Sequence, residues 1–206
     1  MKKYSFLFLI LSAFMAFSQE YTSRELNIIR SGNVQTALPI MQTTDSEQHA
    51  VLLEPSEDAN PLSPDTEILV NRMRLSLLST SSGVGIACPQ VGINRNIIWV
   101  KRFDKKGKPL EYFINPKIIW KSAILNFDGE GDLSIPDFWD EFYRSKVIQL
   151  EYFDLKGEKH AEIVEGFTAV IFQHEIDHLF GILISDKKEK QKKEVYKEVK
   201  AFEKVD

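Results

Sequence analysis

The sequence predicts an α+β fold in which short antiparallel strands surround one buried helix and a further helix ends the chain. Its middle part alternates β-branched, apolar runs with turn residues, which indicates strands joined by hairpins. An apolar helical segment, Thr168 to Phe180, follows these strands. A Lys/Glu-rich segment from Lys187 to Lys204 indicates a solvated C-terminal helix. Strands in series packed around a helix are typical of the α+β class.

The individual elements follow from local signals. Asp65 or Thr66 is expected to cap a helix that runs to about Thr80. Turn residues at 104–108 and 154–158 predict two hairpins. The strands are expected at Asn96 to Arg102, Leu110 to Ile114, Lys117 to Asn126, Lys146 to Phe153, and Lys159 to Val164.

The N-terminus has the pattern of a secretory signal peptide. Lys2 and Lys3 precede an apolar run from Tyr4 to about Phe17, and Ala16-Phe17-Ser18 supplies small residues for cleavage. Residues 1–18 are therefore predicted to be a signal peptide, 19–36 a flexible leader, and 37–206 a single domain. The protein is expected to be exported, to the periplasm or outside the cell. A retained N-terminal membrane anchor is the alternative, although the run is short for a membrane span.

Composition restricts the partners. The chain of 206 residues carries 26 basic and 30 acidic residues, a formal charge of −4. Loss of the two lysines in 1–18 leaves 24 basic residues against 30 acidic ones, and a charge of −6. Nothing is basic enough to indicate nucleic-acid binding. One cysteine allows no internal disulfide. The protein is expected to be a monomer without a stable membrane anchor.

The helical segment carries a metal-hydrolase motif. His174 and His178 are four residues apart, so they lie on one face of an α-helix and can bind one divalent ion. Glu175 is placed to take a proton from a water bound to that ion. Two unconnected histidines on a solvated helix are the alternative. The apolar flanks favour a buried helix, whose polar side chains need partners.

A third metal ligand is required for a catalytic site of this kind. Downstream, Glu189, Glu194 and Glu198 are candidates, but they lie in the solvated Lys/Glu-rich segment. Upstream, Asp132 is the better candidate because it belongs to a wider pattern.

Three segments resemble the signatures of the peptide deformylase family. Gly83 to Gln90 resembles Gly-x-Gly-x-Ala-Ala-Pro-Gln, and Glu130 to Ser134 resembles Glu-Gly-Cys-Leu-Ser. Gln173 to His178 matches Gln-His-Glu-x-Asp-His. The resemblance extends from about Ala37 to about Asp186 and implies the deformylase architecture, with strands around the central helix.

The resemblance also implies the roles of individual residues. The metal, Fe²⁺ or Zn²⁺ with Ni²⁺ or Co²⁺ as further possibilities, is bound by Asp132, His174 and His178. Glu175 is the general base, and the Gln90 side chain with the backbone N–H of Leu133 forms an oxyanion hole. Residues expected to bind the peptide substrate are Gly83, Val84, Gly85, Glu130 and Gly131.

Two departures from the family pattern change these expectations. Asp132 replaces the family's cysteine ligand. Two histidines and a carboxylate remain an established ligand set for zinc and ferrous iron, and lost catalysis is the alternative. Cys88 stands where alanine is common. It is either a small buried residue or a partial substitute for the missing thiolate.

Three functions remain open. The first is removal of formyl groups from N-formylmethionyl peptides, which an exported enzyme would meet as finished peptides. The second is hydrolysis of another amide or peptide on the same fold. The third is a catalytically silent peptide-binding module. The segment Ile135 to Arg144 holds aromatic and acidic residues that either form a recognition rim or pack on the core, and Arg144 is expected to pair with Asp177.

Overall fold

The α+β class is confirmed by a computed structural model, which describes residues 20–197. The predicted signal peptide (1–18) and Glu198, with the rest of 198–206, lie outside the described residues. One sheet has five antiparallel strands in the order β1-β2-β3-β6-β7, and a second has β4 paired with β5. The strands are β1 (Gly85–Ala87), β2 (Ile97–Lys101), β3 (Leu110–Lys121), β4 (Leu125–Asp132), β5 (Ile135–Ser145), β6 (Val147–Phe153) and β7 (Lys159–Glu165).

Five helices accompany the sheets. They are α1 (Ser23–Ile29), α2 (Ser46–Leu53), α3 (Pro64–Leu78), α4 (Phe167–Leu179) and α5 (Ile184–Gln191). A short 3₁₀ turn, Cys88–Val91, follows β1. Helix α4 is buried over most of its length and packs against β1, β2 and β5. It therefore takes the central position that the sequence predicts.

Several elements differ from prediction. Helix α3 is capped by Ser63 rather than by Asp65 or Thr66, because the Ser63 hydroxyl accepts the Asp65 N–H and Pro64 opens the first turn. Strand β3 runs through Pro116 without a break, with Asn115 in the left-handed region at φ 51°. Helix α2, capped by Asp45, has no counterpart among the predictions.

The C-terminal helix is shorter than predicted. It ends at Gln191 instead of continuing towards Lys204. The Gln191 side chain accepts a hydrogen bond from the Tyr143 N–H at 2.7 Å and donates one to the Glu141 carbonyl at 3.1 Å. Beyond it, the ring of Tyr196 stacks on Tyr143 at 3.8 Å. These contacts hold the chain against the edge of β5, and Val195, expected on the inner face of a longer helix, is 91% exposed.

The segment expected to be a flexible leader is packed onto the domain in its described part. Ile29 of α1 is fully buried in the core cluster. The buried Arg72 of α3 donates hydrogen bonds to the carbonyls of Ile28, Ile29 and Ser31. Helix α1 was not predicted because seven residues are too few to show a periodic pattern. Its position depends on contacts with residues far along the chain.

No single helix among residues 20–197 is long and apolar enough to cross a membrane. Helices α4 and α5 pass that test only as a pair, by length and composition, and they are bent by 108° relative to each other.

Replacing Glu25 by glutamine should destabilise the docked N-terminal segment. Glu25 accepts hydrogen bonds from the buried Arg95 guanidinium at 2.7 and 2.8 Å. Leaving that cation without its carboxylate is expected to lower the free energy of unfolding by about 1–3 kcal/mol. Urea unfolding of the variant and the parent at neutral pH measures the difference, and Arg24→Gln, on the exposed face of α1, is the matched control.

The same difference should depend on pH. Burial alone raises the pKa of Glu25, but the hydrogen bonds from Arg95 and from the Thr22 N–H outweigh it, and the pKa lies below the ordinary value of 4.5. A carboxylate with a lowered pKa stabilises the folded state above its unfolded-state pKa, and this contribution is lost as the pH falls through the folded-state value. The difference in the free energy of unfolding between the parent and Glu25→Gln should therefore be largest at neutral pH and should become smaller below pH 4.5. A difference that is constant over this range would contradict the ion-pair explanation.

Candidate metal centre

Helix α4 presents two histidines side by side. His174 and His178 are one turn apart, and their ring centroids are separated by 5.1 Å. The side chain of His178 is 1% exposed and that of His174 is 11% exposed. The helix begins after Gly166, whose positive φ of 66° turns the chain from β7 into α4. The His178 imidazole is thus buried, and that of His174 is nearly so.

The end of β4 brings Asp132 to the same place. The register of β4 and β5 shifts between Gly131 and Asp132, so that Asp132 pairs with Ile135. Its side chain is completely buried, and Oδ2 lies 3.4 Å from His178 Nε2. One ligand atom each from Asp132, His174 and His178 lies within 4.8 Å of the other two. The three residues that the resemblance selects are therefore brought together.

Several polar atoms at this place lack hydrogen-bond partners. Within residues 20–197, they are Asp132 Oδ2, Glu175 Oε2 and both ring nitrogens of His178. A buried polar atom without a partner is costly, and buried groups of this kind usually pair with one another or bind a metal. A carboxylate oxygen and two imidazole nitrogens are suitable donors for zinc or ferrous iron. The residues present therefore fit a divalent cation.

A chain of ion pairs fixes His174. Its Nδ1 lies 2.9 Å from Glu130 Oε2, which indicates that Nδ1 carries the proton and leaves Nε2 for a ligand. Glu130 in turn receives two hydrogen bonds of 2.7 Å from Arg144. Arg144 also donates to Asp177, as expected from the sequence, and Lys187 of α5 donates to Asp177 at 2.8 Å. Such partners orient a ligand histidine and maintain its tautomer.

Charge and burial act in opposite directions on these groups. Burial lowers the pKa of His174, but the Glu130 hydrogen bond and the nearby carboxylates raise it to about 9. Burial raises the pKa of Asp132, but the charges of His178 and His174 hold it well below its usual range. Both shifts favour positive charge at this site. A metal ion would compete with protons for the same atoms.

Glu175 lies against Gly85 of the first motif. Burial raises its pKa to about 7, although the two histidines act to lower it. A carboxylate with such a pKa is suited to accept and return a proton near neutral pH. A Cβ added at Gly85 would lie 2.2 Å from Glu175 Oε1, so only glycine leaves room for this side chain. Gly85 thus leaves space for the side chain of the candidate base, in addition to the close approach of substrate that the sequence predicts.

Gln90 is held in a fixed orientation. Its Oε1 accepts the Ala87 N–H at 2.9 Å, which identifies the other end of the amide as Nε2. Nε2 donates to Asp132 Oδ1 at 3.2 Å and to Ser134 Oγ at 3.3 Å. The carbonyl of Leu133 accepts a hydrogen bond from Gln42 at 3.0 Å, and Leu133 lines the cleft. Gln90 and Leu133 thus both border the cleft.

An open cleft of about 510 Å³ leads to these residues. Its walls include Gly83, Val84, Gly85, Glu130, Gly131 and Leu133, which sequence analysis had assigned to substrate or catalysis. The aromatic segment after Ser134 divides between the two predicted roles. Phe142 is fully buried, whereas Trp139 borders the cleft, is 67% exposed, and lies over Gly129.

The other predicted ligands lie elsewhere. Cys88 is fully buried in a hydrophobic cluster with Ile29 and Val91, and it does not belong to the group of ligand atoms around His174. Burial raises the pKa of its thiol well above the usual range. Glu189 pairs with Lys192, and Glu194 accepts a hydrogen bond from Tyr196. Among the described candidates for a third ligand, Asp132 is the one grouped with His174 and His178.

Sequence reasoning did not identify a second group, formed by Asp154, Glu158 and His160 at the β6–β7 turn. Asp154 Oδ1 accepts the backbone N–H groups of Lys156 and Glu158, both at 2.9 Å, and Oδ2 lies 3.0 Å from His160 Nε2. These bonds explain the group as a hairpin turn closed by an aspartate.

Comparisons with known proteins agree with this arrangement. Residues 38–194 match the family model described as polypeptide deformylase. The peptide deformylase of Phenylobacterium zucineum (strain HLK1) is 34% identical over 160 residues, which cover 74% of this chain and 94% of that protein. The peptide deformylase of Christiangramia forsetii (strain DSM 17595 / CGMCC 1.15422 / KT0803) is 34% identical over 173 residues, covering 78% and 86%.

Solved structures give the same result. The crystal structure of peptide deformylase from Thermotoga maritima superposes with a TM-score of 0.65 at 32% identity, covering 73% of this chain and 96% of that one. A class I type b peptide deformylase from Acinetobacter baumannii, with Met-Ala-Ser bound, gives 0.64 at 32% identity, covering 74% and 98%.

A Gly85→Ala substitution should reveal the contact between Gly85 and Glu175. The added methyl group would overlap the carboxylate, and overpacking of this kind is expected to cost about 1–3 kcal/mol in the free energy of unfolding. In a Glu175→Ala background the colliding atoms are absent, so the same substitution should cost much less. Thermal or urea unfolding of the four proteins of this cycle measures the coupling. Equal costs in both backgrounds would show that the two residues do not compete for space.

Proposed function

The chain belongs to the polypeptide deformylase family, and from that membership we propose that it removes the formyl group from N-formylmethionyl peptides. In this proposal a divalent metal is held by Asp132, His174 and His178. The observation that supports it most strongly is the set of buried atoms without hydrogen-bond partners, which includes Asp132 Oδ2, Glu175 Oε2 and the His178 nitrogens. Asp132 and Glu175 line an open cleft, and burial raises the pKa of Glu175 to about 7.

The bound cation would supply a Lewis acid and lower the pKa of a water molecule. Glu175 accepts a proton from the attacking water, whose oxygen forms a bond with the formyl carbon. The Gln90 amide and the Leu133 N–H donate hydrogen bonds to the formyl oxygen as it becomes negative. Glu175 then gives the proton to the amine nitrogen as the C–N bond breaks. The products are formate and a peptide with a free amino group.

The proposed metal is Fe²⁺ or Zn²⁺, with Ni²⁺ and Co²⁺ also compatible. Two histidines and a carboxylate hold zinc in several hydrolases and ferrous iron in oxygenases. A carboxylate is a harder ligand than a thiolate and donates less electron density. The metal preference is therefore expected to differ from that of relatives with a cysteine ligand.

A different peptide or amide substrate is the second candidate. Trp139 is exposed at the rim of the cleft, and β5 also contains Asp137, Asp140 and Glu141. An aromatic ring with acidic neighbours can bind a cationic or aromatic peptide group. Under this alternative the site keeps its metal and Glu175 keeps its role, but formylmethionine is not the preferred substrate.

The decisive assay measures hydrolysis of a formyl-Met peptide by the chain from Gln19 to Asp206. The protein is prepared without air and loaded separately with Fe²⁺, Ni²⁺, Co²⁺ and Zn²⁺. Turnover is expected with at least one of these metals, and Glu175→Ala should reduce it by about 10²–10⁴-fold while metal binding persists. Asp132→Ala should abolish metal binding, whereas Glu189→Ala, outside the cleft, should affect neither property.

Other outcomes of this assay separate the alternatives. Stoichiometric metal without turnover would favour another amide substrate. Absence of both metal and turnover would favour a peptide-binding module without catalysis. Loss of metal in Glu198→Ala but not in Asp132→Ala would mean that a downstream glutamate is the third ligand.

We also propose that the protein is exported, with the signal peptide removed near Gln19, and that it acts as a monomer. An exported enzyme would meet formyl-Met peptides released outside the cytoplasm rather than nascent chains. In cells producing the full chain, the protein is expected outside the cytoplasm with an N-terminus near Gln19. Fractionation and N-terminal sequencing test this. An uncut N-terminus in the cytosol would contradict export, and an uncut N-terminus in membranes would favour an anchor.

A further inference from the structure

We propose that Gln90 and the backbone N–H of Ser134 hold Asp132 as a ligand that offers a single oxygen. This inference rests on the proposed function, because it takes Asp132 to be a metal ligand. The two oxygens of Asp132 have different surroundings. Oδ1 accepts hydrogen bonds from the Ser134 N–H at 2.8 Å and from Gln90 Nε2 at 3.2 Å. Oδ2 has no hydrogen-bond partner within the described chain and lies 3.4 Å from His178 Nε2.

A carboxylate can bind a cation through one oxygen or through both. If both oxygens of Asp132 were ligands, the cation would gain a donor and lose an open position. Turning Asp132 in that way would break both hydrogen bonds to Oδ1. The Gln90 amide is 1% exposed, so its N–H would lose an acceptor where water does not replace it. One-oxygen binding therefore keeps a position open for water or substrate.

The position of Gln90 is set by the backbone around it. The 3₁₀ turn after β1 carries Gln90, and the bond from the Ala87 N–H to Oε1 fixes which end of the amide faces Asp132. One N–H of Nε2 is directed to Asp132 and the other to Ser134 Oγ, the longer contact at 3.3 Å. In this proposal the N–H on Ser134 Oγ turns to a substrate oxyanion. The other stays on Asp132, so Gln90 is a positioning residue before substrate enters.

Cobalt is the probe metal for the test, because its visible spectrum reports coordination number and does not require turnover. The chain from Gln19 to Asp206 is loaded with Co²⁺ and studied by visible and X-ray absorption. Gln90→Met removes the donor to Oδ1. The visible absorption is then expected to fall, and X-ray absorption is expected to show one additional oxygen around cobalt.

Ser134→Ala is the matched control. It deletes the hydroxyl that Gln90 contacts but keeps both donors to Asp132 Oδ1, so its spectrum should equal that of the parent. Gln90→Glu is a second variant without the amide donor. It is used if thermal melting shows that Gln90→Met does not fold. It keeps an oxygen that can accept the Ala87 N–H.

An Asp132→Cys background distinguishes positioning from general damage to the site. A thiolate has one donor atom, so Gln90→Met should not change the coordination number in that background. A parent spectrum that survives both Gln90→Met and Gln90→Glu in the Asp132 chain would overturn the inference. A parent chain that binds no Co²⁺ would overturn the proposed function, and the inference with it.

Discussion

The hydrogen bonds of Arg144 with Glu130 and Asp177 are the interaction on which the rest of the centre depends. Arg144 is 2% exposed, and Glu130 is 6% exposed, so neither charge is hydrated. A buried pair of this kind is costly to form and more costly to break, because the remaining charge would have no partner. The pair joins β4 to β5, and Asp177 and His174 extend it to α4. The two-stranded sheet of β4 and β5 and the central helix are thus held in one arrangement by charges.

This arrangement accounts for two of the four carboxylates near the histidines. Arg144 forms an ion pair with Glu130, and Asp177 forms ion pairs with both Arg144 and Lys187. In the part of the chain that the structure describes, neither Asp132 nor Glu175 pairs with a lysine or arginine. A divalent cation between these two groups would compensate their charges. The same cation would lower the pKa of Glu175 from about 7, so the base would titrate at a lower pH in the loaded protein.

The sequence predicted which residues come together at the centre, because the candidate ligands belong to short local motifs. His174 and His178 share a helix face whatever surrounds them, and Asp132 was identified through its place in a motif. Strands β2, β6 and β7 were predicted nearly to their ends, since alternation and turn residues are local signals. The predicted strand Lys117 to Asn126 was wrong, because it is divided between β3 and β4, and β5 was not predicted as a strand. The resemblance added the roles of Gln90 and Leu133, which no periodicity would have indicated.

Long-range contacts account for what the sequence did not show. The docking of α1 depends on the hydrogen bonds between Glu25 and Arg95, which is seventy residues further along the chain. A helix as short as α1 also has no periodic pattern from which it could be predicted. The end of α5 depends on the Gln191 amide meeting the edge of β5. The space for Glu175 depends on Gly85, ninety residues earlier. In each case a single side chain far along the chain decides the outcome, and such pairs leave no local trace.

The exchange of cysteine for aspartate at position 132 is compatible with the same backbone. A carboxylate oxygen lies one bond further from Cβ than a thiolate sulfur, and metal–oxygen bonds are shorter than metal–sulfur bonds by about 0.1–0.3 Å. The two differences act in opposite directions, so they partly offset each other. What the exchange adds is a second oxygen, which a thiolate lacks. That oxygen is buried, and it must either bind the cation or find donors within the protein. The Ser134 N–H and the Gln90 amide are those donors, and both belong to the motifs that surround the metal ligands.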